Sequence, residues 1–295
     1  MIGGVAALPA IRPRTNGEAS PSEPLITVRP ARRPTGGLAE ARQTRAAVRR
    51  PRRECVFRPR QLVCFGGASL GPGGAALNEY ALSIARGRRP RICLLVPARG
   101  ERGGEGEDRL ADLYRGFSDA RCELSHFFPP RRQREDQDLH AHLRRQDVIY
   151  VAGGDLVRLL GGWRASGIDA VLSQAWRNGT VLCGFGAGGV CWFAEAPTSI
   201  DGRARTVRGL GLLPWSGFAL HGAEGAQRVA HRSSLLAHTR LGYAAEEGVG
   251  LHFVGARLEV AVASQADRRA YRVEAREGRL VETPLPTTPL KAVTR

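Results

Sequence analysis

Between Thr180 and Phe193 the chain reads TVLCGFGAGGVCWF, an apolar strand-like run that enters a glycine-rich turn and then an apolar segment of helical character. A strand, a sharp turn and a helix start form the mount of a nucleophile elbow, G-x-S-x-G, which holds a hydroxyl out at the end of the strand. The frame here is Gly184-Phe185-Gly186-Ala187-Gly188, and its central position carries a hydrogen where the hydroxymethyl group would be. The same letters satisfy the looser dinucleotide pattern G-x-G-x-x-G over Gly184 to Gly189. Cys183 precedes the elbow inside the strand and Cys191 follows it among apolar neighbours, so both read as packing residues rather than as replacement nucleophiles. His231, His238 and His252 show no metal-ligand spacing and read as structural or exposed.

Elements that could position such a turn begin at Gln61. Short apolar runs at Leu62 to Phe65, Arg91 to Pro97, Cys122 to Phe127, Asp147 to Val151 and Thr180 to Cys183 read as strands. Between them, 75–86, 107–117, 136–145, 156–164 and 168–176 carry helical spacing. This alternation predicts a three-layer αβα fold around a mostly parallel sheet. Past Pro197 the rhythm changes to short strands at 209–213, 251–254, 258–262 and 271–274 with one helix near 227–236, which reads as antiparallel strands added at one edge. In open parallel sheets the site lies beyond the carboxyl ends of the strands. Two such ends are glycine-rich, Gly153-Gly154 after the fourth strand and Gly184 to Gly189 after the fifth. A dinucleotide site is disfavoured, because the helix after the glycines must end before Pro197, after about two turns. No acidic residue closes a following strand about 20 positions on either.

The chain has 295 residues and a formal net charge of +16. Residues 1–59 are Arg- and Pro-rich without apolar periodicity and are expected to be disordered. By sequence, 60–285 is then the α/β domain and 286–295 a tail. Lys291 is the sole lysine, so the basic balance is an arginine effect and weak evidence for nucleic acid, which only the N-terminal tail would contact. Six cysteines without C-x-x-C spacing suggest reduced thiols, and no apolar run reaches the roughly 18 residues of a membrane span. A soluble cytoplasmic protein without metal, cofactor or membrane partner is expected, its oligomeric state left open.

Several ordered pieces, PRICLLVPA, DVIYVAGGD, LLGGWRASGIDAVLSQAW, VLCGFGAGGVCWF, GLGLLP followed by His221, and LGYAAEEGVGLHF, together resemble the dipeptidase E and cyanophycinase-like serine peptidases of the class I glutamine amidotransferase-like fold. The resemblance spans about Gln61 to Val281 and implies a flavodoxin-like sheet and an elbow serine, a base, an acid and oxyanion amides. It places the nucleophile on Gly186, the base on His221 and the acid on Ser199, with Asp201 close enough in sequence to substitute. It places the oxyanion amides on Gly153 or Gly154 and on Ala187. Two of three triad positions therefore lack their chemistry. The sequence supports an impaired or inactive peptidase acting on, or binding, a small peptide, or else a non-enzymatic binder of a small carboxylate on the same scaffold. The family's G-G-G-N becomes Ala152-Gly153-Gly154-Asp155, and the added negative charge would need Arg158 or Arg164 to offset it.

Overall fold

A computed structural model describes residues 58–67, 72–96, 105–117, 122–128, 137–220, 226–239 and 241–291, all within a unit spanning Cys55–Arg295. The sequence reading of 1–59 lies, apart from its last two residues, outside them.

Five strands of alternating apolar residues come first: β1 (Gln61–Phe65), β2 (Arg91–Leu95), β3 (Glu123–Phe127), β4 (Val148–Val151) and β5 (Val181–Phe185). They pair in parallel in the spatial order β1, β5, β4, β2, β3. Between them run α1 (Pro72–Ser83), α2 (Glu105–Phe117), α3 (Gln137–Leu143), α4 (Leu156–Ser166) and α5 (Ile168–Arg177). Successive strand residues point to opposite faces, so each strand feeds two cores. Leu62, Cys64, Cys93, Leu95, Ile149, Val151 and Leu182 pack with Leu139, Leu160, Trp163 and Leu172 of α3, α4 and α5. Val63, Phe65, Ile92, Leu94, Val148, Tyr150, Cys183 and Phe185 pack with Leu77, Ala81, Leu113 and Phe117 of α1 and α2. The central strands β4 and β5 are buried throughout because both faces are covered, whereas edge strand β3 (ELSHF) is only partly buried, and three layers result.

After β5 comes α6 (Ala187–Val190), a single turn where the sequence suggested two. Trp192 and Phe193 are fully buried, and Phe193 already opens the next strand. The amides of Leu210, Gly211 and Leu212 donate to the carbonyls of Cys191, Phe193 and Trp192 at 2.8, 3.1 and 2.8 Å. This backbone zipper halts the helix long before Pro197. The rest of the chain forms β6 (Phe193–Ile200), β7 (Arg203–Arg208), β8 (Leu213–Ser216), β9 (Phe218–Leu220), α7 (Ala226–Ser234), a π-helical turn Leu235–Thr239, β10 (Leu241–Ala245), β11 (Val249–Val254), β12 (Arg257–Ala263), β13 (Ala270–Arg276), β14 (Arg279–Leu285) and β15 (Thr287–Pro289).

Antiparallel β11 joins the sheet beside β1, followed by β12 and β15, so the eight strands run β15-β12-β11-β1-β5-β4-β2-β3. This is the mostly parallel α/β fold with antiparallel addition at one edge. The remaining strands make two smaller sheets, β14-β13-β10-β9 and β7-β6-β8. β15 falls in the stretch read from sequence as a tail. Among the described residues no helix is long and apolar enough to cross a membrane.

Candidate active site

β5 delivers the chain to Gly186, which has φ +56° and ψ −127°, and α6 starts at the next residue. This is the sharp strand-to-helix turn that an elbow requires. The turn is closed by the Gly186 carbonyl, which accepts from the amides of Gly189 and Val190 at 2.9 and 3.1 Å. The flanking glycines are fixed by space. A Cβ at Gly184 would lie 2.6 Å from the carbonyl oxygens of Val151 and Gly188, and one at Gly188 would lie 2.3 Å from that of Val151. α6 therefore sits directly on the end of β4, and only hydrogen fits between. At Gly186 itself a Cβ would meet nothing within 4 Å, and the residue is exposed. The elbow thus has room for a side chain, aimed at solvent, and has none.

Val151 of β4 is in register with Gly184 of β5, so the loops leaving these neighbouring strands share one end of the sheet. Gly153 and Gly154 turn the chain from β4 into α4 with φ +76° and +110°, conformations that side chains resist. Among the described residues, neither glycine N–H donates to a protein acceptor. Ala187, as the first residue of α6, also has an N–H without an intrahelical acceptor. The three amides assigned to the oxyanion therefore lie on adjacent loops. Asp155 caps α4, its Oδ1 accepting from the Arg158 amide at 2.9 Å. Asparagine caps equally well, which gives Asp155 a local reason independent of the ligand. Arg164 does not offset that charge. It lies nine residues along α4, about 13 Å at 1.5 Å per residue, and its Nη2 donates to the carbonyls of Arg208 and Gly209 at 2.5 and 3.1 Å.

On the other side of β5 lies β1, with Phe65 opposite Phe185. The turn between β10 and β11 folds over the end of β1: the Gly66 amide donates to the Val249 carbonyl at 2.8 Å, and the Gly248 amide donates back to Gly66 at 3.0 Å. That turn carries Glu246 and Glu247. The Glu247 side chain lies against Gly67, where a Cβ would come within 2.7 Å of its Cγ. Glu246 accepts from the Arg269 amide at 3.0 Å. The sequence reading did not single out these carboxylates, because only the β1–β5 register reveals that they lie one strand from the elbow.

The remaining sequence-predicted residues are placed as follows. Ser199 pairs with Ala204 near the tip of the β6–β7 hairpin, and Asp201 is in the turn with φ +50°, next to Gly202 at +73°. Both central residues having positive φ is the two-residue hairpin turn that Asp-Gly favours. Both Ser199 and Asp201 are exposed, and β6 carries Ser199 about 20 Å from Phe193 at 3.3 Å per residue. His221 and His238 cannot be placed: His221 lies outside the described residues, as does the side chain of His238. His252 is buried and shares a 2.8 Å hydrogen bond through Nδ1 with the Tyr80 hydroxyl, and burial holds its pKa below the usual range. Burial likewise drives His231 down to about 4, against a smaller upward pull from the Gly217 backbone. Cys183 and Cys191 are fully buried, and burial raises both thiols far above the range in which a thiolate forms. Neither substitutes for the absent hydroxyl.

The chain thus combines a mostly parallel α/β sheet, a sharp strand-to-helix turn after its fifth strand, glycine amides on the loop beside it and an antiparallel edge. The model of peptidase family S51 matches residues 63–261, and the chain belongs to that family. The "uncharacterized peptidase YgaJ" of Bacillus subtilis (strain 168) is 35% identical over 234 residues, covering 77% of this chain and 97% of that protein. In fold it is similar to a peptidase from an acI-B1 Actinobacterium, whose crystal structure aligns with a TM-score of 0.58 at 16% identity over 77% of this chain and 94% of that one.

Proposed function

We propose that this family S51 chain keeps the peptidase scaffold and its backbone oxyanion donors but does not hydrolyse peptides through a covalent serine intermediate. The observation that carries this reading is Gly186, an elbow residue at φ +56° with open space where the side chain would stand. Acyl transfer through an elbow needs an oxygen on that carbon to attack the carbonyl and a base to take its proton. Without a triad member, only about 10³- to 10⁴-fold catalysis over water remains from oxyanion donors and binding. In this reading Gly186 is the vacated nucleophile position, His221 the base position and Ser199 the acid position, with Asp201 as substitute.

A second reading has support from the amides of Gly153 and Gly154, which donate to no acceptor among the described residues: the same site holds a small carboxylate or small peptide without turning it over. A cytoplasmic location goes with both, supported by the five cysteines among the described residues, all free and four of them buried. Incubating the purified protein with Asp-X dipeptides tests the first reading. The expected result is no release of amino acid by the native chain, and measurable release by Gly186→Ser, alone or with Ser199→Asp. Native turnover that His221→Ala abolishes would overturn it.

A further inference from the structure

The three-stranded sheet ends on β7, which among the described residues pairs on one side with β6 and on the other with no strand. Its sequence, RARTVR, places three arginines in six residues, and Arg203, Arg205 and Arg208 are all exposed. Among the described residues none of them forms an ion pair, nor does Arg164, which reaches the carboxyl end of the strand. The nearest cross-strand acid, Glu195, is opposite Arg208 in register but directs its carboxylate to the Ser234 hydroxyl of α7. α7 covers one face of the strand, where the Thr206 hydroxyl donates to the Ala230 carbonyl at 3.4 Å. Among the described residues no strand pairs with the outer edge.

The direction of that edge follows from Arg208. Its carbonyl points away from β6 and accepts from Arg164. In an antiparallel strand the N–H and C=O of alternate residues face the same side, so Ala204 and Thr206 present theirs along the outer edge as well. Arg164 closes the edge at its carboxyl end, and beside it opens a cleft of about 350 Å³ lined by Arg164, Asp169, Ser173, Arg208, Gly209 and Leu210. Asp169 is its single carboxylate, against two guanidinium groups.

We propose that β7 is a docking edge for an acidic polypeptide segment, which adds to the sheet as an extended strand and sets its carboxylates against Arg203 and Arg205, which share the face opposite α7, while Arg208 lies on the other face at the carboxyl end. Exposed unpaired edges template strand addition, and main-chain bonds supply the attachment while side chains choose the partner. A second copy of this strand is a poor occupant, since it would bring arginine against arginine across the new pair. Nucleic acid would satisfy the charge but has no use for the row of alternating amides and carbonyls.

The test is fluorescence anisotropy of a labelled peptide alternating Glu and Val, titrated with the full chain, beside a single-stranded DNA of matched charge. Expected are saturable peptide binding that weakens as salt shortens the Debye length from about 10 Å at 0.1 M toward 3 Å at 1 M, and a loss of about tenfold or more in Arg203→Glu/Arg205→Glu. Ala204→Pro keeps every charge and removes one outward N–H, a change edge strands accept, and it is expected to weaken the peptide severalfold. N-methylation of alternate peptide amides, which leaves the protein untouched, is expected to do the same. No saturable binding, or binding indifferent to the double charge reversal, overturns the proposal. So does DNA binding as tightly as the peptide, or an N-methylated peptide that binds unchanged, since either means a polyanion surface rather than a strand-addition edge.

Discussion

Alanine substitutions at Gly184, Gly186 and Gly188 should separate the position with room for a side chain from those with none. At Gly186 the added Cβ has no neighbour within 4 Å, so the only cost is the positive-φ backbone at φ +56°. With ψ at −127° this is a sparsely populated conformation outside αL that costs a residue with a Cβ about 1–3 kcal/mol, offset by about 0.4–1 kcal/mol from a less free unfolded chain. The net is roughly 1 kcal/mol, or about 2–4 °C in Tm for a domain of this size. At Gly188 the Cβ would come 2.3 Å from the Val151 carbonyl oxygen, and at Gly184 it would come 2.6 Å from two carbonyls. Backbone atoms of β4 and α6 must then separate. Overpacking of this kind costs about 1–3 kcal/mol and occasionally more, and rigid carbonyls place these sites at the upper end, near 3 kcal/mol or about 6–12 °C. Thermal and urea unfolding of Gly186→Ala, Gly184→Ala and Gly188→Ala measures all three. Equal losses at 186 and 188 would refute the open elbow, and a neutral Gly188→Ala would refute the seating of α6 on β4.

Three other outcomes follow from the same structure. Burial holds His231 down at about 4, below the usual 6.5 of a free histidine. The unfolded chain therefore binds a proton that the folded chain refuses between these values, so His231 supplies stability that is complete above about pH 6.5 and lost as pH falls toward 4. At 1.36 kcal/mol per pH unit the loss is at most about 3 kcal/mol, and urea unfolding across that window should be flatter in His231→Asn than in the native chain; parallel profiles would exclude the residue. Removing the α4 cap with Asp155→Ala should cost about 1 kcal/mol while Asp155→Asn stays near neutral, because both Asp and Asn accept from the helix amides; a large loss in Asp155→Asn would show that the charge itself matters. In the native state, iodoacetamide should modify half-exposed Cys122 well before Cys64, Cys93, Cys183 or Cys191, as mass mapping would report, since burial raises those four thiols. Early modification of Cys183 or Cys191 would contradict the packing around the elbow.

Strands β1 to β5 and helices α1 to α5 were legible because each is a short apolar run or a 3.6-residue pattern bounded by turn residues, and both faces of the sheet are covered. The sharp strand-to-helix turn was legible from Gly184, Gly186 and Gly188, of which Gly184 and Gly188 answer a steric demand of β4 and α6. What followed was harder. α6 stops after one turn because the backbone of 210–212 bonds to 191–193, a long-range pairing that no local pattern encodes. The same holds for the division of the later strands among three sheets, since RARTVR or LGYAA has alternation but no mark of its partner. Glu246 and Glu247 reach the elbow's side of the sheet only through the pairing of β1 with both β5 and β11. Arg164 looked in sequence like a residue near Asp155, and the rise of one helix removed it.

The central claim, an elbow that keeps its geometry and lacks its nucleophile, is tested most directly by a fluorophosphonate probe read out by intact mass and peptide mapping. The native chain should carry no adduct, and Gly186→Ser should carry one, at position 186. A native chain that is labelled stoichiometrically on a hydroxyl beside the elbow would contradict the account, because it would show an activated nucleophile where the structure places only Gly186.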